Sequence, residues 1–386
     1  MKQPLVTIVT PSFNQGHFIR ATIESVLSQN YSDIEYIIMD GGSKDETAAV
    51  AAEYSSRLKF ISEKDRGQSH AINKGFRMAR GEVISWLNSD DTILPGAVEH
   101  AVRAFERHPV LGAVYGEGYL IDYDGAVKCR FPATEPFNLW KLVHLSDYVL
   151  QQTLYFRKQV IEELGYVDES LHWGMDWDIL IRIGKRYGME YIPEYMGCLR
   201  EYGEAKTFSG GRKRFHELAL IMRRHGALRY PPGYFTYGLD TYHKLVCDWI
   251  PSHRLRKVVS YAAHVVIARI TREAQGLYSD GWASTRLQYM LPAGRGLIRV
   301  SGVLPDLGPA LLGQRLVVKC AGRIVKDQDI PFGEFAFEVS CDSPGAALEL
   351  EVLASRFVVP AKAGLGPDPR KLAYMLKGIE WVGIAS

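Results

Sequence analysis

The sequence predicts an α/β fold with a mostly parallel, doubly wound sheet, followed by a basic helical segment and an antiparallel β-sandwich. Three observations predict it. Short β-branched runs alternate with helical periodicity over the first hundred residues, positive charge gathers between 206 and 275, and apolar residues alternate with period two after about 277.

Residues 5–10 form an apolar, β-branched run closed by Pro11, the pattern of a strand buried on both faces. Phe18, Ile19, Thr22, Ile23, Val26 and Leu27 then recur at helical spacing. Residues 34–39 predict a second strand, 45–55 a helix, 58–61 a third strand, 67–79 a helix and 83–87 a fourth strand. Ala97, Val98, Ala101, Val102 and Phe105 mark the next helix. Such alternation requires right-handed crossovers and therefore parallel pairing. From 110 to 205 the strands shorten, with a hairpin expected around 122–125 and a helix beginning near Asp176 that turns Ile179, Leu180 and Ile183 inward.

Between 206 and 275, thirteen Lys/Arg stand against four Asp/Glu, a local net charge of +9 in a chain of net +2. Beyond it, Ile298 and Val300, then Phe335, Phe337 and Val339, then Leu348, Leu350 and Val352 alternate between Gly, Pro and Asp turns. The expected organisation is an α/β domain over 1–205, a basic helical segment over 206–276 and a β-sandwich over 277–386.

Composition narrows the function classes. The 386 residues are 47% hydrophobic and 23% charged, which excludes a disordered chain and accommodates two or three domains. Near-neutral net charge without a nucleic-acid-binding module sets nucleic acid aside as a partner. Five widely spaced cysteines form no Cys-x-x-Cys pair, which argues against a disulfide framework or zinc knuckle. No signal-peptide core and no bilayer-spanning window is present, so the expected location is cytoplasmic, with any membrane association peripheral.

Ligands of open α/β sheets bind beyond the carboxyl ends of the strands. Here those ends carry Pro11-Ser12-Phe13-Asn14, Asp40-Gly41-Gly42-Ser43, Glu63-Lys64-Asp65-Arg66 and Asn88-Ser89-Asp90-Asp91. One such cluster is explained as a helix cap; four on one sheet edge point to a binding site.

In this order, the segments 6–14, 38–47 (Ile-Met-Asp-Gly-Gly-Ser-Lys-Asp-Glu-Thr) and 86–91 (Trp-Leu-Asn-Ser-Asp-Asp) resemble the nucleotide-sugar half of family 2 glycosyltransferases, inverting enzymes with the GT-A fold. Segment 62–75 is similar to a subgroup that builds bacterial surface polysaccharides. Segments 151–157 and 165–171 resemble the family's acceptor half, and Gly174-Met175-Asp176-Trp177-Asp178 occupies the place of its Glu-Asp motif. The resemblance covers about residues 4–210 and implies a GT-A-like sheet.

It also implies roles. Asp91 would ligate a divalent metal, Mg²⁺ or Mn²⁺, that neutralises the departing nucleoside diphosphate, while Asp90 contacts the ribose or a metal-bound water. Asp40 and Asp65 would hold the nucleoside over Pro11, Phe13 and Asn14, with Lys74 either facing phosphate or solvated on its helix. Asp176 would be the general base that takes the proton of the acceptor hydroxyl. Asp178 competes for that role, its alternative being interaction with the helix dipole. Gln152 lies in the acceptor half; Trp173 and Trp177 either stack on a sugar or belong to the core. The donor implied is a nucleotide sugar, UDP-linked first, and the acceptor a glycan or lipid-linked glycan.

Three positions depart from the family pattern. Gly41 stands where a second Asp is usual, Met175 replaces the Glu before the base, and Tyr202 stands where a histidine often adds a metal ligand. The basic segment, with Trp249 and tyrosines interleaved, fits either an anionic membrane surface or an intramolecular acidic face. In the sandwich, Trp282 is read as glycan-binding or structural. Two rivals remain: a sugar nucleotidyltransferase, whose Gly-rich basic phosphate loop is missing from 12–16, and a catalytically inactive glycan-binding protein on the same scaffold.

Overall fold

The computed structural model describes residues 3–203 and 210–382; the expected boundary at 205/206 lies outside the described residues. Two compact units emerge, Met1–Phe137 with Asp147–Ile221, and Asn138–Ser146 with Met222–Ser386.

In chain order the first part runs β1 (Val6–Ser12), α1 (Gly16–Leu27), β2 (Ile34–Asp40), α2 (Thr47–Ala52), β3 (Lys59–Ser62), α3 (Gln68–Met78), β4 (Val83–Trp86), β5 (Thr92–Ile93), α4 (Ala97–Arg107), β6 (Ala113–Ile121) and β7 (Val127–Arg130). Helix α5 (Leu139–His144) belongs to the second unit, after which come β8 (Tyr155–Arg157), α6 (Lys158–Glu163), α7 (Met175–Arg186), β9 (Met189–Arg200) and α8 (Gly211–His225).

The sheet of the first unit is ordered β3-β2-β1-β4-β8-β6-β9-β5, with β7 on β6. Its β3-β2-β1-β4 half is parallel, as the alternation requires. Beyond β4 it becomes mixed, because β8 runs antiparallel to both β4 and β6. Every residue of β1 is buried, since helices cover both faces. Val6, Ile8, Tyr36 and Ile38 join Ile19, Ile23 and Val98 in one core layer. Close approach on the other face needs Gly75: a Cβ there would stand 2.3 Å from a Val9 methyl. The expected hairpin is β6–β7, and the expected helix near Asp176 is α7.

The second unit contains α9 (Pro232–Trp249), α10 (His253–Glu273), β10 (Trp282–Ala283), β11 (Arg286–Leu291), β12 (Gly294–Leu304), β13 (Arg315–Cys320), β14 (Arg323–Asp329), β15 (Gly333–Ser343), β16 (Leu348–Ala354), α11 (Pro360–Ala363) and β17 (Tyr374–Val382). Two four-stranded antiparallel sheets, β10-β17-β12-β15 and β11-β16-β13-β14, share one core. The alternating residues Ile298, Val300, Phe337, Leu350 and Val352 all point into it, and Trp282 packs against it. Arg370 ties the two ends of this domain together, donating to Asp280 at 2.9 and 2.6 Å and to Asp368 at 2.6 Å.

Candidate active site

The strand ends are level. Ser12 is in register with Asp40, and Asp40 with Ser62, so the loops after β1, β2 and β3 leave the sheet side by side. Asn14 takes a left-handed conformation, φ 52°, which short polar side chains tolerate. Its N–H donates to Ser43 Oγ at 2.7 Å and its Oδ1 accepts from Lys44 N at 2.9 Å, locking the first two loops together. Pro11 is buried within β1, whereas Phe13 is 61% exposed.

Asp40 is buried and accepts four hydrogen bonds: from Gly42 N (3.1 Å), Ser43 N (3.0 Å), Ser43 Oγ (2.5 Å) and Ser62 Oγ (2.6 Å). These occupy the acceptor positions of a carboxylate, so Asp40 binds its own loops together. Asp65 accepts from Gly67 N at 2.8 Å and turns its other oxygen toward Gly41. A Cβ at position 41 would meet Asp65 Oδ2 at 2.9 Å and the Phe13 ring at 3.2 Å, so glycine lets Phe13, Gly41 and Asp65 converge. Lys74 is paired with Glu63 at 2.5 Å.

The loop after β4 carries the strongest electrostatic feature. Asp91 is 1% exposed; Oδ1 accepts from Arg200 N at 2.9 Å, and Oδ2 from Gln152 Nε2 at 2.6 Å and Asn88 Nδ2 at 3.1 Å. Burial, then the neighbouring charge of Asp90, pushes its carboxyl up to about 8 against these hydrogen bonds. Asp90 is also raised, chiefly by burial, and receives the Tyr202 hydroxyl at 2.8 Å. Among the described residues, no lysine or arginine side chain donates to either carboxylate. The Arg200 guanidinium instead donates to the carbonyls of Asp90 (2.7 Å), Asp122 (2.9 Å) and Tyr123 (2.7 Å), fastening the acidic loop to the β6–β7 turn. Helix α1 fastens it from the other side through Thr22 Oγ1, which donates to Ser89 O and Asp91 O at 2.9 and 2.7 Å.

Segments 62–75 and 165–171 meet at Asn73, which exchanges hydrogen bonds with the Val167 backbone at 2.8 and 3.0 Å and donates to Glu169 at 3.0 Å. Asp176 lies in the first turn of α7, half-buried, with Oδ1 accepting from Trp177 N at 2.9 Å. Asp178 faces inward and pairs with Arg182 at 2.8 Å; Arg182 in turn donates to Leu164 O and Tyr166 O at 2.7 and 2.8 Å. Trp173 is half-buried, but Trp177 is 1% exposed, and that burial removes it from any sugar face. Met175 is buried too, with Ser69 Oγ 2.7 Å from its sulfur.

Sequence reasoning missed two residues here. Asp147 is pushed well above the ordinary carboxylate range by burial and then by the charge of Asp176. Glu217, inside the basic segment, accepts from the backbone N–H groups of His172 (2.9 Å), Trp173 (2.6 Å) and Gly174 (2.8 Å), fixing the turn that launches α7. Neither has a local signature, since both act across at least 29 residues. The same holds for Gln152: the sequence places it in the acceptor half, and the fold puts its amide on Asp91.

The acidic loops leave the carboxyl ends of the parallel strands, the edge at which open α/β sheets bind ligands. Residues 7–162 match the family described as Glycosyl transferase family 2. An uncharacterized glycosyltransferase of Rickettsia prowazekii is 30% identical over 182 residues, 46% of this chain and 57% of that protein. The chondroitin synthase of Escherichia coli is 38% identical over 125 residues, 32% of this chain and 18% of that protein. The chain thus spans little more than half of the Rickettsia relative and a fifth or less of the E. coli one. Among solved structures, Staphylococcus aureus TarS 1–349 in complex with UDP-GlcNAc superposes with a TM-score of 0.48 at 15% identity, over 69% of this chain and 90% of that one.

Proposed function

We propose that this protein transfers a sugar from a nucleoside-diphosphate sugar, UDP-linked first among candidates, to a hydroxyl of a glycan or lipid-linked glycan, with inversion at the anomeric carbon. The observation that carries the proposal is the buried Asp90–Asp91 pair. Two adjacent carboxylates whose ionisation is disfavoured by burial, with no Lys or Arg side chain among the described residues donating to them, form a place that favours a cation. Their hard oxygens suit Mg²⁺ or Mn²⁺, which bind through one or two carboxylates together with substrate phosphates. Asp91 is the proposed metal ligand, with Asp90, the more accessible of the two, beside it. When bound, the ion would neutralise charge growing on the diphosphate leaving group. Phe13, Asn14 and Asp65 are proposed to seat the nucleoside.

Asp176 is the proposed base. From the first turn of α7 it would accept the proton of the attacking hydroxyl as that oxygen bonds to the anomeric carbon and the diphosphate departs with its electron pair. The family match over residues 7–162 supports the reaction class, and similarity to a chondroitin synthase supports a glycan acceptor in bacterial polysaccharide synthesis.

The test is nucleoside-diphosphate release from a panel of UDP- and GDP-sugars with Mn²⁺. Release by wild type, lost in Asp91→Asn and Asp176→Asn, is the expected result. Thermal stabilisation by nucleotide with no release from any donor overturns it in favour of an inactive binding protein.

A further inference from the structure

Helices α9 and α10 pack as a hairpin. The rings of His243 and His264 lie 5.5 Å apart, the Cys247 thiol is 3.5 Å from the Ser260 hydroxyl, and Arg256 Nε donates to Ile250 O at 2.6 Å. That seam uses one side of each helix. Of the 21 residues of α10, Ala263 alone is buried.

What remains outward is not polar. On α9, Phe235, Tyr242, Val246 and Trp249 are exposed at spacings that keep them on one face. On α10, Leu255, Val258, Tyr261, Val265 and Val266 are exposed as well, and Trp249 at the turn is 88% exposed. Single exposed apolar residues are ordinary; rows of them on two adjoining helices mark a surface that something covers.

Charge decides what. Arg254, Arg256 and Lys257 crowd the N-terminal end of α10, where the helix dipole disfavours cations. Lys244 is paired with Asp240, and Arg269 and Arg272 with Glu273. Among the described residues, no carboxylate pairs with those three cations. A second copy related by a twofold axis would set the same cations against each other, whereas anionic headgroups would neutralise them. Trp and Tyr settle at the headgroup level while Arg and Lys stems extend along the apolar surface, and neither helix is long and apolar enough to cross a membrane.

We propose that the hairpin tip formed by Trp249, Arg254, Leu255, Lys257, Val258 and Tyr261 docks the protein onto an anionic lipid bilayer, lying in its interface. The proposal is independent of the transfer reaction, and every residue in it belongs to the second unit.

The experiment is co-sedimentation of the full chain with phosphatidylglycerol-containing vesicles and with pure phosphatidylcholine vesicles at low salt. Binding to the anionic vesicles is expected to be at least about tenfold tighter and to weaken with added salt. Arg254→Ser with Lys257→Ser is expected to weaken it about twentyfold, and Trp249→Ser, with the charges intact, about tenfold. Both variants alter exposed side chains, so their melting temperatures should match wild type. Equal binding to the two vesicle types, or none to either at low salt, overturns the proposal. Self-association without vesicles that Trp249→Ser abolishes also overturns it, assigning the face to a second copy.

Discussion

The side-chain amide of Gln152 donates a 2.6 Å hydrogen bond to Oδ2 of Asp91, across 61 residues of sequence. Its other terminal atom, Oε1, is buried without a protein partner. The amide gives its donor to the carboxylate at the expense of its own carbonyl, a cost that is recovered when Asp91 is ionised. Burial and the Asp90 charge act in the opposite direction. Asp91 is therefore balanced between its protonated and ionised forms.

The first prediction follows from that balance. The folded-state value of about 8 lies above the unfolded value near 3.8, so the folded protein retains a proton that the unfolded chain releases. This contribution to stability is present below about pH 4 and is lost as pH rises toward about 8. In EDTA, the denaturant midpoint of wild type should fall relative to Asp91→Asn between about pH 5 and pH 8. Mn²⁺ should stabilise wild type more at the higher pH, because binding displaces the proton. Parallel profiles for the two proteins would show that Asp91 does not titrate in this range.

Removing the amide should expose its role. Gln152→Ala should cost about 1.5–3 kcal/mol where Asp91 is ionised, the range for a hydrogen bond to a charged group, and less near pH 5. Urea unfolding at the two pH values measures the difference. A pH-independent loss would reduce Gln152 to packing.

The two aspartates of α7 should separate cleanly. Asp176→Asn should lower turnover by about 10²–10⁴ while leaving donor affinity intact, as loss of a general base does. Asp178→Asn breaks a largely buried ion pair with Arg182 and should cost about 3 kcal/mol of stability instead. Steady-state kinetics and thermal unfolding of both variants check this. A dead but stable Asp178→Asn would reverse the assignment.

Glu217 gives a test of positioning. Glu217→Ala frees three backbone N–H groups before α7, and kcat should fall about tenfold through displacement of Asp176, with donor KM unchanged. Glu217→Gln keeps an acceptor oxygen and should recover part of the rate. Equal losses in both variants, or a raised donor KM, would point to a general structural defect.

Much of the fold was legible because its signals are local. The strand expected at 83–87 is β4 at Val83–Trp86, the hairpin expected at 122–125 is β6–β7, and the helix expected near Asp176 starts at Met175. The alternation beyond 277 fell on the residues that fill the sandwich core. The antiparallel entry of β8 beside β4 was not legible, because a three-residue strand has too little periodicity to declare its direction. Asp147 beside Asp176 and Glu217 beneath Gly174 were hidden in the same way, each being an ordinary acidic residue until the chain folds.

Strand period and turn chemistry act over a few residues, so the places where acidic and polar groups leave the sheet can be read from the chain alone. Only the tertiary structure decided what each of those groups does. Asp40 is saturated by its own loops, Asp178 pairs with Arg182 and Trp177 is closed into the core, while Asp90 and Asp176 stay partly exposed and Asp91 is held by Arg200 N, Gln152 and Asn88. The reason is physical. Desolvation and hydrogen bonding depend on which distant segments arrive, and the same aspartate becomes a structural clasp or a poised carboxylate according to its neighbours.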